Sequence, residues 1–301
     1  MSYVGRFAPS PTGPLHLGSL ATAVASFMHA RQASGEWLVR IEDIDPPREV
    51  PGAADDILRT LEAFELEWDR PVLFQSRRLA AYDAAAERLL AERRAFHCRC
   101  SRSEIRAANE GESGRYPGTC RELRIPPGDA AVRVRVDPGR VIFDDGVQGT
   151  IETDLLASLG DYVVVRRDGL PAYHLAVVLD DAEQGVTTIV RGVDLLDSTA
   201  AHVHLQGALG LATPRYYHLP VVVNERGQKL SKQTGATAVD ARDGTAAARV
   251  LAVLGLAVPP ALEGERPGVL WRWAAERWSI DSLRGQRELT RGTVSSAEAP
   301  L

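Results

Sequence analysis

No apolar run in the chain approaches the roughly 18 residues a membrane-spanning helix needs, and no basic-then-apolar leader opens it. A membrane partner is therefore not expected, and the expected location is the cytoplasm. Positive charge is also in short supply. The chain has 35 Lys and Arg against 40 Asp and Glu, a net charge of -5. Any nucleic-acid contact must then rest on a local basic face, not on the field of the whole protein. Cysteine is scarcer still: Cys98, Cys100 and Cys120 all fall within 23 residues. An odd, clustered count in a cytosolic chain argues against a disulfide framework and for a metal or a reactive thiol.

What remains is the composition of a folded protein, 301 residues with 45% hydrophobic and 25% charged. That is enough for two domains, or one with a large insertion. "YVGRFA" reads as a short buried strand, Leu17 to Ala33 as a helix closed by Gly35, and "EWLVRIED" (36–43) as a second strand. "GAADDILRTLEAFEL" and residues 79–94 follow as helices. This order predicts an α/β fold with a Rossmann-like, doubly wound parallel sheet. Between 95 and 160 the cysteines, "IPPGD" and the alternating "AVRVRV" predict an inserted loop region with short antiparallel strands. Residues 161–192 then read as long apolar strands, and "YYHLPVVV" (216–223) as another. The expected division is a catalytic domain of 1–94 and 161–227, an insertion of 95–160, and a helical end of 228–301. In that end Trp271, Trp273 and Trp278 are spaced as a packing face.

Two motifs carry chemistry. "FAPSPTGPLHLGS" (7–19) joins the first strand to the first helix. A helix N-terminus offers unpaired N–H groups and a positive dipole, a ready site for phosphate. Gly13 and Gly18 permit close approach of a ligand to the backbone, and His16 can donate to a phosphate oxygen. Far along the chain, "KLSK" (229–232) sets Lys229 and Lys232 around a serine. Paired ammonium groups suit the diphosphate that departs when the α-phosphate of ATP is attacked.

Together "PSPTGPLHLGS" and "KLSKQ" resemble the two signature motifs of class I aminoacyl-tRNA synthetases, and "RFAPSPTGPLHLG" with "RIEDID" resembles the glutamyl branch. The likeness runs over about residues 3–240. The first motif closes on Ser19 where the family often has His, Gly or Asn, and a serine is chemically suited to a helix N-terminus. Only residues 233–301 follow Lys232, too few for the helical anticodon-binding region of a full glutamyl-tRNA synthetase. The short form with a cysteine loop is similar to the branch that attaches glutamate to queuosine at the wobble position of tRNA(Asp). The resemblance implies a ligase that activates L-glutamate with ATP and Mg²⁺ without needing tRNA, then transfers it to that base; a monomer is expected. His16, Lys229 and Lys232 are the expected catalytic residues, and His16, Gly18, Ser19 and Lys232 the ATP-binding ones.

Glutamate brings two carboxylates and one ammonium. Arg6 and Arg191 are the candidate carboxylate partners, because a guanidinium offers two parallel hydrogen bonds. Glu42, at the end of the second strand, could hold the ammonium, and Tyr173 offers a hydroxyl. These four match the family's glutamate-binding positions, and Ser10 lies in the same opening segment. Arg191 is the expected selector of the side-chain carboxylate, rejecting glutamine. For the cysteines, three close thiolates and a fourth ligand commonly hold a structural zinc. Spacing leaves both His97 and Tyr116 open as that ligand; the resemblance implies Cys98, Cys100, Tyr116 and Cys120 around one Zn²⁺, in an insertion facing the RNA.

Overall fold

The computed structural model describes residues 2–109, 115–223 and 238–290. The "KLSK" lysines Lys229 and Lys232 lie outside them.

The chain opens with β1 (Val4–Phe7), α1 (Leu17–Gln32), β2 (Glu36–Ile41), α2 (Ala53–Ala63), β3 (Leu73–Phe74) and α3 (Leu79–Ala91). Strands β1, β2 and β3 pair in parallel. The return from α1 into β2 is tighter than a simple glycine cap. Ser34 takes the left-handed conformation at φ 49°. Gly35 instead lies where any Cβ would come within 2.5 Å of the Tyr3 carbonyl.

The middle of the chain contains β4 (Ala95–Cys98), α4 (Arg102–Ala108), β5 (Ala131–Val134), β6 (Arg140–Asp145), β7 (Gly149–Asp154), α5 (Leu155–Ser158) and β8 (Tyr162–Val165). Here strand pairing crosses the expected boundaries in both directions. Strand β8, placed by sequence in the catalytic domain, pairs antiparallel with β5, which pairs with β4. Strand β6, from within 95–160, joins the parallel sheet and carries β7 as an antiparallel edge.

The rest runs α6 (Tyr173–Glu183), β9 (Thr188–Gly192), α7 (Leu196–Leu209), β10 (Arg215–Leu219), β11 (Val221–Val223), α8 (Ala246–Val253), α9 (Pro267–Ala275) and β12 (Glu288–Thr290). Two strand expectations are corrected. Residues 173–183 form a helix, with Leu175, Ala176, Val177, Val178, Asp180 and Asp181 all buried. With nearly every face covered, the apolar residues show no 3.6-residue alternation to distinguish helix from strand. Residues 216–223 are two strands, because Pro220 has no N–H for the ladder; β10 continues the β9 sheet while β11 pairs with β12.

Strands β9, β10 and β6 run in parallel, and Thr187 N–H donates to the Val4 carbonyl at 2.9 Å, setting β1 beside β9. Successive strand residues enter different cores. Trp37 and Val39 join α1, α8 and α9, while Leu38, Ile189 and Tyr216 join α3, α6 and α7. Both faces of the parallel strands are thus covered by helices, as an α/β sheet requires. Trp271 and Trp278 are buried in the first core and Trp273 is partly buried against it. Among the described residues no helix is long and apolar enough to cross a membrane.

Candidate active site

A cleft of about 640 Å³ opens over the C-terminal ends of β1, β2 and β9 and the start of α1. Strand C-termini in such sheets are the usual place for a ligand. The cleft brings together Arg6, Ser10, Glu42, Tyr173 and Arg191, with His16 and Ser19 at one side. A smaller cavity of about 160 Å³ adjoins it, sharing His16, Ser19, Thr22, Gly192 and Asp194 and adding Gly18 and Val222.

His16 is the N-cap of α1. Its Nδ1 accepts the Ser19 N–H at 3.2 Å. The neutral ring then carries its proton on Nε2, which lies 3.0 Å from Ser19 Oγ. Ser19 thus meets the ring from both its backbone and its hydroxyl, at the side of the cleft that His16 and Ser19 both line. The turn before it needs Gly13, whose φ of 124° is reachable only without a Cβ.

Arg6 and Glu42 do not pair with each other. Arg6 Nε donates to Asp181 Oδ1 at 3.1 Å. Arg40, fully buried, donates to the same Asp181 oxygen at 2.8 Å and to Glu42 Oε1 at 3.2 Å. Burial alone would raise the Asp181 carboxyl, but the Arg40 and Arg6 guanidiniums outweigh it and hold it below its ordinary value. For Glu42 burial wins over the same two cations and pushes the carboxyl up. Behind them Asp180 accepts from Gln75, Arg78 and Tyr82. Sequence reading missed Arg40, Asp180 and Asp181. A signal existed: two adjacent acids at the end of an apolar run must find partners if buried.

Tyr173 is the first residue of α6, not a strand residue, and its hydroxyl accepts from Arg191 Nη1 at 3.2 Å. Arg191 is buried on β9. Its other contacts are His218, His202, Thr199 and the Leu195 carbonyl. Thr12, Arg48, Asp194 and Ser198 also line the cleft and were not anticipated.

Apart from the cleft, Cys98, Cys100 and Cys120 place their sulfurs within 4.8 Å of one another, with Cys100 and Cys120 3.5 Å apart. Tyr116 Oη lies 3.4 Å from Cys98 Sγ and 3.9 Å from Cys100 Sγ, and accepts the Cys120 N–H at 2.7 Å. His97 precedes Cys98 on β4 and so faces the other side of the strand, where its Nδ1 is buried without a partner among the described residues. Burial and the neighbouring thiols push Cys100 up to about 11, a cost a divalent cation would reverse. The S₃O donor set fits such a cation.

Residues 3–254 match the family described as tRNA synthetases class I (E and Q), catalytic domain. A Chromobacterium violaceum protein named glutamyl-Q tRNA(Asp) synthetase is 56% identical over 286 residues, covering 93% of this chain and 95% of that one. Its namesake from Aromatoleum aromaticum is 52% identical over 301 residues, covering 99% and 95%. The chain belongs to the class I family, in the branch of the glutamyl-Q tRNA(Asp) synthetases. The crystal structure of a glutamate tRNA ligase from Elizabethkingia meningosepticum in complex with its amino acid aligns with a TM-score of 0.81 at 26% identity. That alignment covers 98% of this chain and 68% of the ligase.

Proposed function

We propose that the chain activates L-glutamate with ATP and transfers the glutamyl group to queuosine at the wobble position of tRNA(Asp). The observation that carries this reading is the single cleft in which Arg6, Ser10, Glu42, Tyr173 and Arg191 meet beside the N-terminus of α1. Arg191 takes the side-chain carboxylate, with Tyr173 as a second donor, and Glu42 takes the ammonium. Arg6, with Ser10 beside it, orients the α-carboxylate. A carboxylate oxygen attacks the α-phosphorus of ATP, the bond to the bridging oxygen of the β-phosphate breaks, and diphosphate leaves. The α1 N–H groups and His16 steady the phosphates. Lys229 and Lys232 meet the charge building on the leaving diphosphate, where a positioned ammonium lowers the barrier. A hydroxyl of queuosine's cyclopentene ring then attacks the acyl carbon of glutamyl-adenylate, and AMP leaves. The adenylate is already activated, so the second step needs no protein nucleophile.

Mg²⁺ accompanies ATP. Cys98, Cys100, Tyr116 and Cys120 hold one structural Zn²⁺, which staples the loop between β4 and β5 in a segment that faces the RNA. The deciding experiment supplies labelled glutamate, ATP and Mg²⁺ to tRNA(Asp) with and without queuosine, and to tRNA(Glu). Labelling confined to queuosine-bearing tRNA(Asp) is the expected result. Labelling of tRNA(Glu) would overturn the acceptor, and no diphosphate exchange would overturn the enzyme.

A further inference from the structure

Arg191 differs from the other buried cations of the cleft. Arg6 and Arg40 each contact Asp181 directly. Among the described residues, every group in hydrogen-bond contact with Arg191 is neutral: Tyr173 Oη, His202 Nδ1, Thr199 Oγ1 at 2.7 Å, the Leu195 carbonyl, and His218 Nε2, which accepts from Arg191 Nε at 3.0 Å. The nearest acid along this chain of bonds is one imidazole away. Asp145 Oδ2 meets His218 Nδ1 at 2.6 Å. The three residues sit on adjacent parallel strands. His218 on β10 is in register with Arg191 on β9, and Asp145 ends β6 on the other side of β10.

Asp145 is held by more than His218. Its Oδ1 accepts the backbone N–H groups of Val147 at 3.0 Å, Gln148 at 2.8 Å and His218 at 3.1 Å. With Oδ1 so occupied, Oδ2 is turned to the imidazole and accepts a hydrogen bond from Nδ1–H. The neutral ring is then left with a lone pair on Nε2, the only form that can accept from Arg191 Nε–H. Burial, with Arg191 nearby, lowers the His218 pKa despite the carboxylate, keeping that ring neutral. The result is a guanidinium fixed in the sheet by neutral acceptors, with no anion among its described hydrogen-bond partners.

We propose that Asp145 and His218 are positioning residues: by fixing the imidazole tautomer they hold Arg191 in the orientation that receives the substrate's side-chain carboxylate. This rests on the reading of Arg191 as that carboxylate's partner. The pair touches no substrate itself. Replacing Asp145 by Asn keeps the Oδ1 acceptor for the backbone but turns a donor toward Nδ1, which drives the ring's proton to Nε2, against Arg191.

The test is ATP–diphosphate exchange on the full chain with glutamate and ATP titrated separately. Asp145→Asn and His218→Ala should each raise the KM for glutamate roughly ten- to a hundredfold, the effect of one lost hydrogen bond to a charged group. The KM for ATP and kcat should stay within about twofold, because Arg191 meets the amino acid and not the nucleotide. His218→Gln, which offers an amide oxygen to Arg191 and an amide N–H₂ to Asp145, should recover most of the glutamate affinity. Arg191→Ala is the control. If it raises the glutamate KM while Asp145→Asn and His218→Ala do not, the positioning role is overturned and the site reading stands. Equal losses in both KM values and kcat, unrelieved by His218→Gln, would mean a merely structural pair and also overturn it. If Arg191→Ala leaves the glutamate KM unchanged, the site reading itself falls.

Discussion

Asp181→Asn probes the charge pattern beneath the cleft most directly. One oxygen of this buried carboxylate accepts from both Arg40 and Arg6, at 2.8 and 3.1 Å. The amide keeps an acceptor but removes the negative charge, leaving Glu42 near both guanidiniums and Asp180 near Arg40 as the remaining acids among the described residues. Breaking a buried pair by removing one partner costs about 3–5 kcal/mol, and the retained acceptor places this case near 3 kcal/mol. For a chain of 301 residues that is a fall in Tm of about 5 °C. Arg6 also loses its anchor, so the KM for glutamate should rise roughly tenfold. The pH dependence has a definite sign. Asp181's carboxyl is held below its ordinary 3.8 in the folded state, so its stabilising effect is complete above that value and fades as pH falls through the lower folded-state value. Melting curves of wild type and variant should therefore run parallel at neutral and mildly acidic pH and converge only at more acidic pH. A variant melting within about 2 °C of wild type at neutral pH, with an unchanged glutamate KM, would refute the argument that this shared carboxylate offsets part of the charge of the two cations.

Three further outcomes follow from particular contacts. The purified protein should carry one Zn²⁺ by elemental analysis; Cys120→Ser should lose it, Tyr116→Phe should release it to a chelator roughly ten times more readily, and His97→Ala should behave as wild type. Should His97→Ala lose the metal and Tyr116→Phe keep it, the fourth ligand is assigned wrongly. His16→Ala should slow diphosphate exchange about a hundredfold through loss of a donor to the phosphates, while the lost helix cap costs only about 1 kcal/mol in a thermal melt; a loss of stability without loss of rate would reduce His16 to a cap. Gly35→Ala sets a methyl group against the Tyr3 carbonyl, and the forced shift between β1 and β2 should cost about 1–3 kcal/mol, read as a lower denaturation midpoint with the m-value unchanged.

The parts of the site that could be read in the sequence are those where local chemistry is unusual on its face. A proline- and glycine-rich turn ending in a histidine before a helix suits the phosphate site proposed there, and Arg6, Glu42 and Arg191 are charges at the ends of apolar strands. Arg40, Asp181, Asp145 and His218 were not legible in the same way. Each is one of several polar residues in its element, and its role comes only from the residue that the topology sets opposite. Arg40 and Asp181 meet across 141 positions of chain, and Asp145 and His218 across 73. The same reasoning explains the misread helix. Helix α6 is covered on nearly all sides, so burial erased the periodicity that would have revealed it. The strand exchange between β6 and β8 left no local trace either, since short β-rich segments look alike whichever sheet they join.

The two arginines proposed to meet the substrate's carboxylates have different partners, one anionic and the other neutral, and that contrast would favour glutamate over glutamine in the proposed site. Arg6 already has a direct anionic partner in Asp181, shared with Arg40, so it demands a ligand carboxylate less than Arg191 does. Arg191 is buried among neutral acceptors, with its acid screened behind an imidazole. A ligand carboxylate there supplies the missing anion in a site of low polarity, where charge pairing is strong. Glutamine's amide would fill the same volume and leave the guanidinium uncompensated, so discrimination comes from the cost of a buried unneutralised cation and not from shape. Giving Arg191 an anion of its own should therefore weaken the preference. Thr199→Asp, at the position 2.7 Å from Nη2, should raise the KM for glutamate while leaving that for glutamine nearly unchanged. Exchange rates measured with both amino acids decide it: equal loss for the two would show that the pocket selects by fit.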